Sequence, residues 1–371
     1  MTGFVPPPYP YDRLNGLQAE ILERHDSVVD LSIGTPFDHP PETVVAALSA
    51  GGSSRSYPPS VGTPEFLDAV ERWLSKQFDV DLDRSQIGAT VGSKEFVALL
   101  PRFMALRTPD RDTVLYPSIA YPSYEMGATL AGLRAVPVPF RADGCLDLDA
   151  VDPSDAARAL LLWTNSPGNP TGHLDDLEGA ATWGRRHGVP VFSDECYIEF
   201  TWSGRGRTIL EHGTEGVVAV HSLSKRSNLA GARAGFYAGD AEIVEFLREV
   251  RKHAGLMVPG PVQAAAAVAF ADQDHVDVQR GRYLHRLRLM ADVLSEWSGQ
   301  TVAMPDGAFY LWVPADDGWE FANRLAHAGG ALVSPGEFYG ADGAGHVRVA
   351  VVQPDDQIEV VAERLRRDVR K

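Results

Sequence analysis

The feature that most restricts the fold is an alternation: short apolar, β-branched runs separated by segments of helical periodicity. Runs near Ile87–Val91, Thr113–Tyr116, Arg134–Pro137, Ala159–Trp163, Val189–Asp194, Val217–His221 and Arg233–Ala238 read as strands. Val217–Val220 is apolar at every position, as expected of a strand covered on both faces. Helical segments lie between several of them, for example Ser93–Leu106 and Leu174–His187, the latter closed by Gly188. This alternation predicts a layered α/β architecture around a mostly parallel sheet. Ligands in such sheets bind beyond the carboxyl ends of the strands.

The ends of the chain depart from the pattern. Residues 1–16, MTGFVPPPYPYDRLNG, read as an extended arm rather than a helix. Leu17–Arg24 reads as a short helix and Val28–Ile33 as a strand running into Gly34-Thr35-Pro36. Gly34 would let the backbone approach a ligand closely. Thr63 suits an N-cap and Pro64 the first helical position, ahead of an apolar face formed by Phe66, Leu67, Val70, Trp73 and Leu74. Beyond Ala238, helices Glu242–Lys252 and Ala264–Leu294 precede strands at Ala308–Val313, Ala331–Val333 and Val347–Val352. That segregation predicts a separate, smaller α+β domain. The expected division is an arm with part of the small domain at 1–40, a large domain at 41–275 and the small domain at 276–371. The boundary then falls in the long helix between Gln263 and Ser295.

Charge and cysteine usage remove several function classes. The 371 residues carry 34 basic and 50 acidic side chains, a net charge of −16, which argues against general binding to nucleic acid or to an anionic membrane. Cys145 and Cys196 are too few for a disulfide framework and have no metal-ligand spacing, so no metal is expected and Cys196 reads as a buried filler. No basic segment followed by an apolar core opens the chain, and the longest apolar run, Ala264–Ala271, is far short of a membrane span. A reducing cytoplasmic location is expected. H-E-x-x-H, C-x-x-C and G-x-S-x-G motifs do not occur.

The chemistry-bearing residues gather at strand exits. His221-Ser222-Leu223-Ser224 presents Lys225, and Arg233 follows eight residues later. A partly desolvated lysine is a nucleophile for aldehydes, and two hydroxyls with an arginine suit a dianionic phosphate. An ordinary solvated lysine and a surface arginine are the plainer alternative. Gly92-Ser93-Lys94 opens a helix after the first core strand, an anion site or simply a good N-terminus. Tyr121 follows the second strand, as either a stacking ring or a core tyrosine. Asn165-Ser-Pro-Gly-Asn-Pro-Thr-Gly172 follows the fourth. Asp194 ends the fifth, with Tyr197 three residues on; a carboxylate at a buried strand end needs a cationic partner. Arg348, within Gly345-His-Val-Arg-Val-Ala-Val351, is costly on an inward face without an anion. His221 and His346 read as structural.

As a set these motifs resemble the fold-type I pyridoxal 5′-phosphate-dependent aminotransferases. The resemblance rests on S-x-S-K with G-x-R-x-G (Ser222, Ser224, Lys225, Gly231, Arg233, Gly235), N-x-P-x-N-P-T-G from Asn165 and D-E-C-Y from Asp194. Further stretches are similar to the bacterial N-succinyldiaminopimelate aminotransferases: Leu31–Pro36, Gly92–Glu95 with Ala98–Pro101, Ile119–Pro122, Val250–Lys252 with Gly255–Pro259, and Phe338–Gly340. The resemblance implies that Lys225 carries the cofactor aldehyde and then moves the proton in amino transfer. It implies main-chain donors at Ser93 and Lys94 for the phosphate, with Ser222 and Arg233. Tyr121 would lie against the cofactor ring, and Asn169 and Tyr197 would reach its phenolic oxygen. Asp194 would pair with the ring nitrogen, and Gly34, Asn169 and Arg348 would contact substrate, Arg348 through the α-carboxylate.

It further implies amino acid and 2-oxo acid substrates, with N-succinyl-LL-2,6-diaminopimelate donating to 2-oxoglutarate in lysine and diaminopimelate biosynthesis. A homodimer with shared active sites is implied, Tyr57 reaching the partner's phosphate and the Gly255–Pro259 loop lying close by. Arg13, Arg55, Lys94 and Arg226 are candidates for remote substrate carboxylates. The rivals are an aminotransferase for another amino acid, a carbon–sulfur lyase or cyclopropane-forming synthase on the same scaffold, and a non-catalytic sensing domain. Residues 1–30 are too short for an attached DNA-binding module, which counts against the last.

Overall fold

The computed structural model describes residues 3–50 and 55–370. The chain divides into two compact units. One comprises Thr35–Gly281 with Asp306–Ala308; the other comprises Met1–Gly34, Arg282–Pro305 and Phe309–Lys371. The division falls within a helix, Asp274–Ser298. The first two residues of the expected arm lie outside the described residues.

In chain order, β1 (Val29–Asp30) belongs to the second unit. The first unit is built on seven strands: β2 (Ile87–Thr90), β3 (Thr113–Pro117), β4 (Arg134–Val138), β5 (Ala159–Asn165), β6 (Val191–Asp194), β7 (Val217–Ser222) and β8 (Gly235–Gly239). They lie in the order β2-β8-β7-β6-β5-β3-β4. Only β8 runs against its neighbours, pairing antiparallel with β2 and β7; the remaining pairs are parallel. Leu162 of β5 and Ala219 of β7 join one buried apolar cluster, while Leu161, Trp163, Val218 and Val220 join another. Each strand therefore has apolar cover on both faces, which is why these runs read as continuously hydrophobic.

Helix Ser93–Arg107 follows β2, and helix Pro64–Phe78 is capped as expected, Phe66 N–H donating to Thr63 Oγ1 at 3.3 Å. Several boundaries differ from the sequence reading. Helix Leu177–His187 starts three residues late, because Asp176 takes the N-cap and accepts from Gly179 N–H. Arg233 precedes its strand instead of belonging to it, with a left-handed backbone of φ 59°. The single helix expected over Ala264–Leu294 is two, Gly260–Ala271 and Asp274–Ser298. Arg226 braces the break: its guanidinium donates to the carbonyls of Ala269 (2.6 Å) and Asp272 (3.3 Å), satisfying groups a helix end leaves open.

In the second unit the arm is not extended throughout. Pro10–Leu14 forms a 3₁₀ turn, with Pro10 supplying the fixed φ of a first helical residue, and leads into helix Asn15–Leu22. β9 (Tyr310–Pro314), β10 (Ala331–Leu332), β11 (Ser334–Pro335) and β12 (His346–Ala350) complete its strands. β12 pairs antiparallel with β9 and β11, and β1 pairs parallel with β10. The expected strands Val28–Ile33 and Ala331–Val333 shrink to two-residue pairings, Val29↔Ala331 and Asp30↔Leu332. Helices Gly318–Gly329 and Asp355–Val369 bury Phe321, Leu325, Ile358, Val361 and Leu365.

Candidate active site

Sheet topology in the first unit brings six strands' ends to one edge. β2, β3, β5, β6 and β7 end there, and antiparallel β8 begins there, with Thr90↔Gly235, Asn165↔Asp194 and Ser222↔Gly235 in register. Residues as far apart in sequence as Thr90 and Gly235 thus become neighbours.

Lys225 is half-buried on a single helical turn, Leu223–Arg226, after β7. Ser222 caps that turn, accepting from Ser224 N–H at 3.1 Å and donating to Ser224 Oγ at 2.9 Å. Arg233 turns back across the same edge, Nη1 donating to Ala230 O (2.8 Å) and Ser224 Oγ (3.5 Å), and Nη2 to Val91 O (3.4 Å). Its left-handed backbone gives the side chain that direction.

Opposite it, Gly92 (φ 72°) precedes helix Ser93–Arg107. A Cβ built on Gly92 would displace Arg233 Nη2, and the φ of 72° strains any residue but glycine there. Glu95 braces this turn, accepting from Val91 N–H (3.1 Å) and from Arg251 (2.5 Å). A helix N-terminus, a guanidinium and two serine hydroxyls therefore converge, an arrangement suited to a multiply charged anion.

Asp194 closes β6, 8% exposed. Its Oδ2 accepts from the Tyr124 hydroxyl at 2.9 Å and its Oδ1 from Cys196 N–H at 3.2 Å. Burial pushes its carboxyl above the usual range, and the donors at Cys196 and Tyr124, with His221, hold it back. Burial pushes the Tyr124 hydroxyl well up, and the Asp194 charge adds to this. The Cys196 thiol is likewise pushed well up by burial, then by Asp194, while Ser93 and Lys225 pull it down. Cys196 is thus buried, as expected, and lies beside Asp194 within the cluster.

The Asn165–Gly172 loop is fixed to β6, since Asn165 Nδ2 donates to Asp194 O at 2.8 Å and its Oδ1 accepts from Asn169 N–H at 2.8 Å. Tyr197 is buried in the turn after β6. Tyr121 is partly buried, and Lys94, exposed, places Nζ 5.6 Å from its ring centroid. Tyr57 is 92% exposed and does not join the cluster.

Two of the arginines considered for remote carboxylates have structural duties instead. Arg226 is 3% exposed and ion-paired to Glu199 at 2.9 Å, so it is not available to a substrate. Arg13 pairs with Glu337 at 2.7 Å and lies over the Trp319 ring. Arg55 is exposed.

In the second unit, Arg348 lies on β12, 1% exposed. Its guanidinium carbon is 4.3 Å from the Tyr310 ring centroid and 4.8 Å from that of Tyr339. Nη2 donates to Ser32 O and, at 3.3 Å, to the Tyr11 hydroxyl. Gly34 is buried with the Tyr310 hydroxyl against it, 2.1 Å from where a Cβ would stand.

Sequence reading passed over Tyr124 and Tyr11. Tyr124 stands in the same Pro117–Tyr124 segment as Tyr121, but only the fold carries its hydroxyl to Asp194. Tyr11 was one of several residues in an unassigned arm.

Against known proteins, the family described as aminotransferase class I and II matches residues 26–365. The chain belongs to the class I and II aminotransferases. It is 38% identical over 368 residues to the 4-dedimethylamino-4-oxo-anhydrotetracycline transaminase OxyQ of Streptomyces rimosus, covering 97% of this chain and 99% of that one. It is 33% identical over 378 residues to the LL-diaminopimelate aminotransferase of Aquifex aeolicus, covering 98% and 97%. Among solved structures, a probable N-succinyldiaminopimelate aminotransferase from Thermus thermophilus superposes with a TM-score of 0.84 at 32% identity, over 96% of this chain and 99% of that one.

This aminotransferase takes pyridoxal 5′-phosphate as its cofactor, as the family does. The residues present fit such a group. The Gly92–Arg233 cradle suits a phosphate, and Asp194, a buried carboxyl whose ionised form burial disfavours, suits a protonated ring nitrogen that would supply the offsetting positive charge. Among the described residues no helix is long and apolar enough to cross a membrane.

Proposed function

We propose that this aminotransferase moves the amino group of N-succinyl-LL-2,6-diaminopimelate to 2-oxoglutarate, in lysine and diaminopimelate biosynthesis. The observation that carries the reading of the site is the convergence of Lys225, Asp194 and the Gly92–Arg233 cradle on one sheet edge. The donor identity is supported by the likeness to the Thermus protein. A second reading, LL-diaminopimelate itself as the amino compound, is favoured by the Aquifex relative.

Ser93 and Lys94 main-chain donors, Ser222, Ser224 and Arg233 would hold the phosphate; Asp194 would bind the ring nitrogen, Asn169 and Tyr197 the phenolic oxygen, and Tyr121 the ring face. When bound, the cofactor supplies an electrophilic aldehyde and a ring that accepts the electrons left at the substrate Cα. Lys225 Nζ would hold the cofactor aldehyde and, once the substrate amine has replaced it, would serve as general base toward the substrate Cα–H and general acid in the same 1,3-proton shift. Asp194 keeps the ring nitrogen charged, and Tyr124 keeps Asp194 ionised by donating to it. Arg348 takes the substrate α-carboxylate, while the missing side chain of Gly34 leaves room for the Tyr310 hydroxyl.

The unit holding residues 35–281 serves as the cofactor-binding domain and the other as the small domain. The active form is a cytoplasmic homodimer, for which Tyr57, 92% exposed, is the group offered to the partner's phosphate. A catalytically competent monomer in sedimentation would contradict that.

A panel of amino donors with 2-oxoglutarate, read by glutamate formation, tests the substrate. The proposal expects N-succinyl-LL-2,6-diaminopimelate to exceed LL-diaminopimelate, aspartate and aromatic donors; preference for one of those overturns it. Release of pyruvate and ammonia without an acceptor would identify a lyase.

A further inference from the structure

We propose that Tyr11, on the N-terminal arm, is a substrate-binding residue that completes the carboxylate receptor built on Arg348. The inference rests on the reading of Arg348 as the substrate's carboxylate site and adds a second donor to it.

Arg348 is packed against the rings of Tyr310 and Tyr339, which restricts its hydrogen bonding to the plane of the guanidinium. In that plane the Tyr11 hydroxyl lies 3.3 Å from Nη2. The same hydroxyl is 2.9 Å from the Tyr339 hydroxyl. A phenol has one hydrogen and two acceptor positions. Either hydroxyl of the Tyr11–Tyr339 pair can donate; with Tyr339 as the donor, Tyr11 accepts twice and turns its own hydrogen to a third group beside Arg348. A carboxylate is the ligand that uses a guanidinium N–H and an adjacent O–H together.

The arm is held so that this hydroxyl stays in place. Tyr11 meets Phe338 edge-on at 5.6 Å between ring centroids. Two residues on, Arg13 pairs with Glu337 at 2.7 Å and lies 4.8 Å from the Trp319 ring centroid. Trp319 Nε1 in turn donates to Glu337 at 2.8 Å. The Gly336–Tyr339 turn therefore fixes both ends of the Tyr11–Arg13 segment and contributes Tyr339 to the receptor.

Both substrates of an aminotransferase carry a carboxylate beside the reacting carbon, so loss of the hydroxyl should weaken both alike. Because the contact exists before and during reaction, it should appear in KM and not in kcat. The test uses Tyr11→Phe, which keeps the ring, and Arg13→Ala, which releases the arm, each as cofactor-loaded enzyme. Affinity for succinate, a non-reacting dicarboxylate, is measured by calorimetry, and KM for the amino donor and for 2-oxoglutarate by steady-state kinetics.

Tyr11→Phe should weaken succinate and raise both KM values by about tenfold, with kcat changed less than about twofold. Arg13→Ala should shift the same quantities in the same direction. If Arg348→Gln weakens succinate while Tyr11→Phe leaves it unchanged, the inference is overturned and the reading of Arg348 survives. If Arg348→Gln also leaves succinate binding unchanged, the carboxylate site itself is wrong and the inference falls with it.

Discussion

The Tyr124 hydroxyl donates to Asp194 Oδ2 across 2.9 Å, joining a helix after β3 to the end of β6 inside the buried part of the first unit. Burial alone drives Asp194 toward its protonated form, so the ionised carboxylate depends on this donor and on Cys196 N–H. Tyr124→Phe should raise the dissociation constant for pyridoxal phosphate by about tenfold or more, the usual effect of losing a hydrogen bond to a charged group. Titrating the apo-protein with cofactor and following fluorescence measures this. An unchanged constant would mean that Asp194 does not need Tyr124.

Gly92→Ala should weaken the same binding for a different reason. A Cβ there meets Arg233 Nη2 at 2.2 Å and must sit at φ 72°, so both the guanidinium and the helix entry are displaced. The loss should be larger for pyridoxal phosphate than for pyridoxal, which lacks the anion. Equal losses would place the phosphate elsewhere.

Arg226→Met tests a structural duty. Arg226 pairs with Glu199 at 2.9 Å and covers the helix end at Ala269, and Glu199 also accepts from Trp73 Nε1 and Gln273 Nε2. Removing one member of a buried ion pair strands the other, so the variant should lose about 3–5 kcal/mol in urea unfolding. A loss below about 1 kcal/mol would show that Glu199 is satisfied without it.

How much of this was legible beforehand follows from range. Strands β2 to β8 were readable because each is a local apolar run, and the residues at their ends could be named because strand exits face ligands in such sheets. The helix break at Asp272 has a local signal that the apolar pattern hid: Asp272 Oδ1 accepts from Asp274 N–H at 3.0 Å at the start of the next helix, while Arg226, over forty residues away, satisfies the carbonyls of the helix that ends there. Tyr124 and Tyr11 were invisible, since each matters through a partner that only the fold supplies. Arg226 stood among four unranked candidates for remote carboxylates because its burial and its carbonyl acceptors on a distant helix end are not visible in sequence.

Asp175 supplies a pH dependence. Its Oδ1 accepts from Leu146 N–H and Asp176 N–H, both at 3.0 Å, and burial pushes its pKa from 3.8 up to about 6, although the residue keeps some solvent contact. A carboxyl with a higher pKa folded than unfolded holds its proton more tightly in the folded chain. Its contribution is therefore complete below about pH 4 and is lost as pH rises through about 6. The loss is on the order of 2–3 kcal/mol at most. Urea unfolding at about pH 4.5 and pH 7 should show Asp175→Asn losing less stability, or gaining more, than the parent over that interval. Identical changes would contradict the assignment.

Central to the account is one covalent partner for the cofactor aldehyde, Lys225. The most direct measurement is borohydride reduction of the pyridoxal phosphate-loaded protein, followed by digestion and mass mapping. The account predicts a phosphopyridoxyl group on Lys225 alone, and in Lys225→Ala neither that adduct nor the visible absorbance of the loaded protein. A reduced adduct on another lysine, or turnover retained by Lys225→Ala, would contradict it.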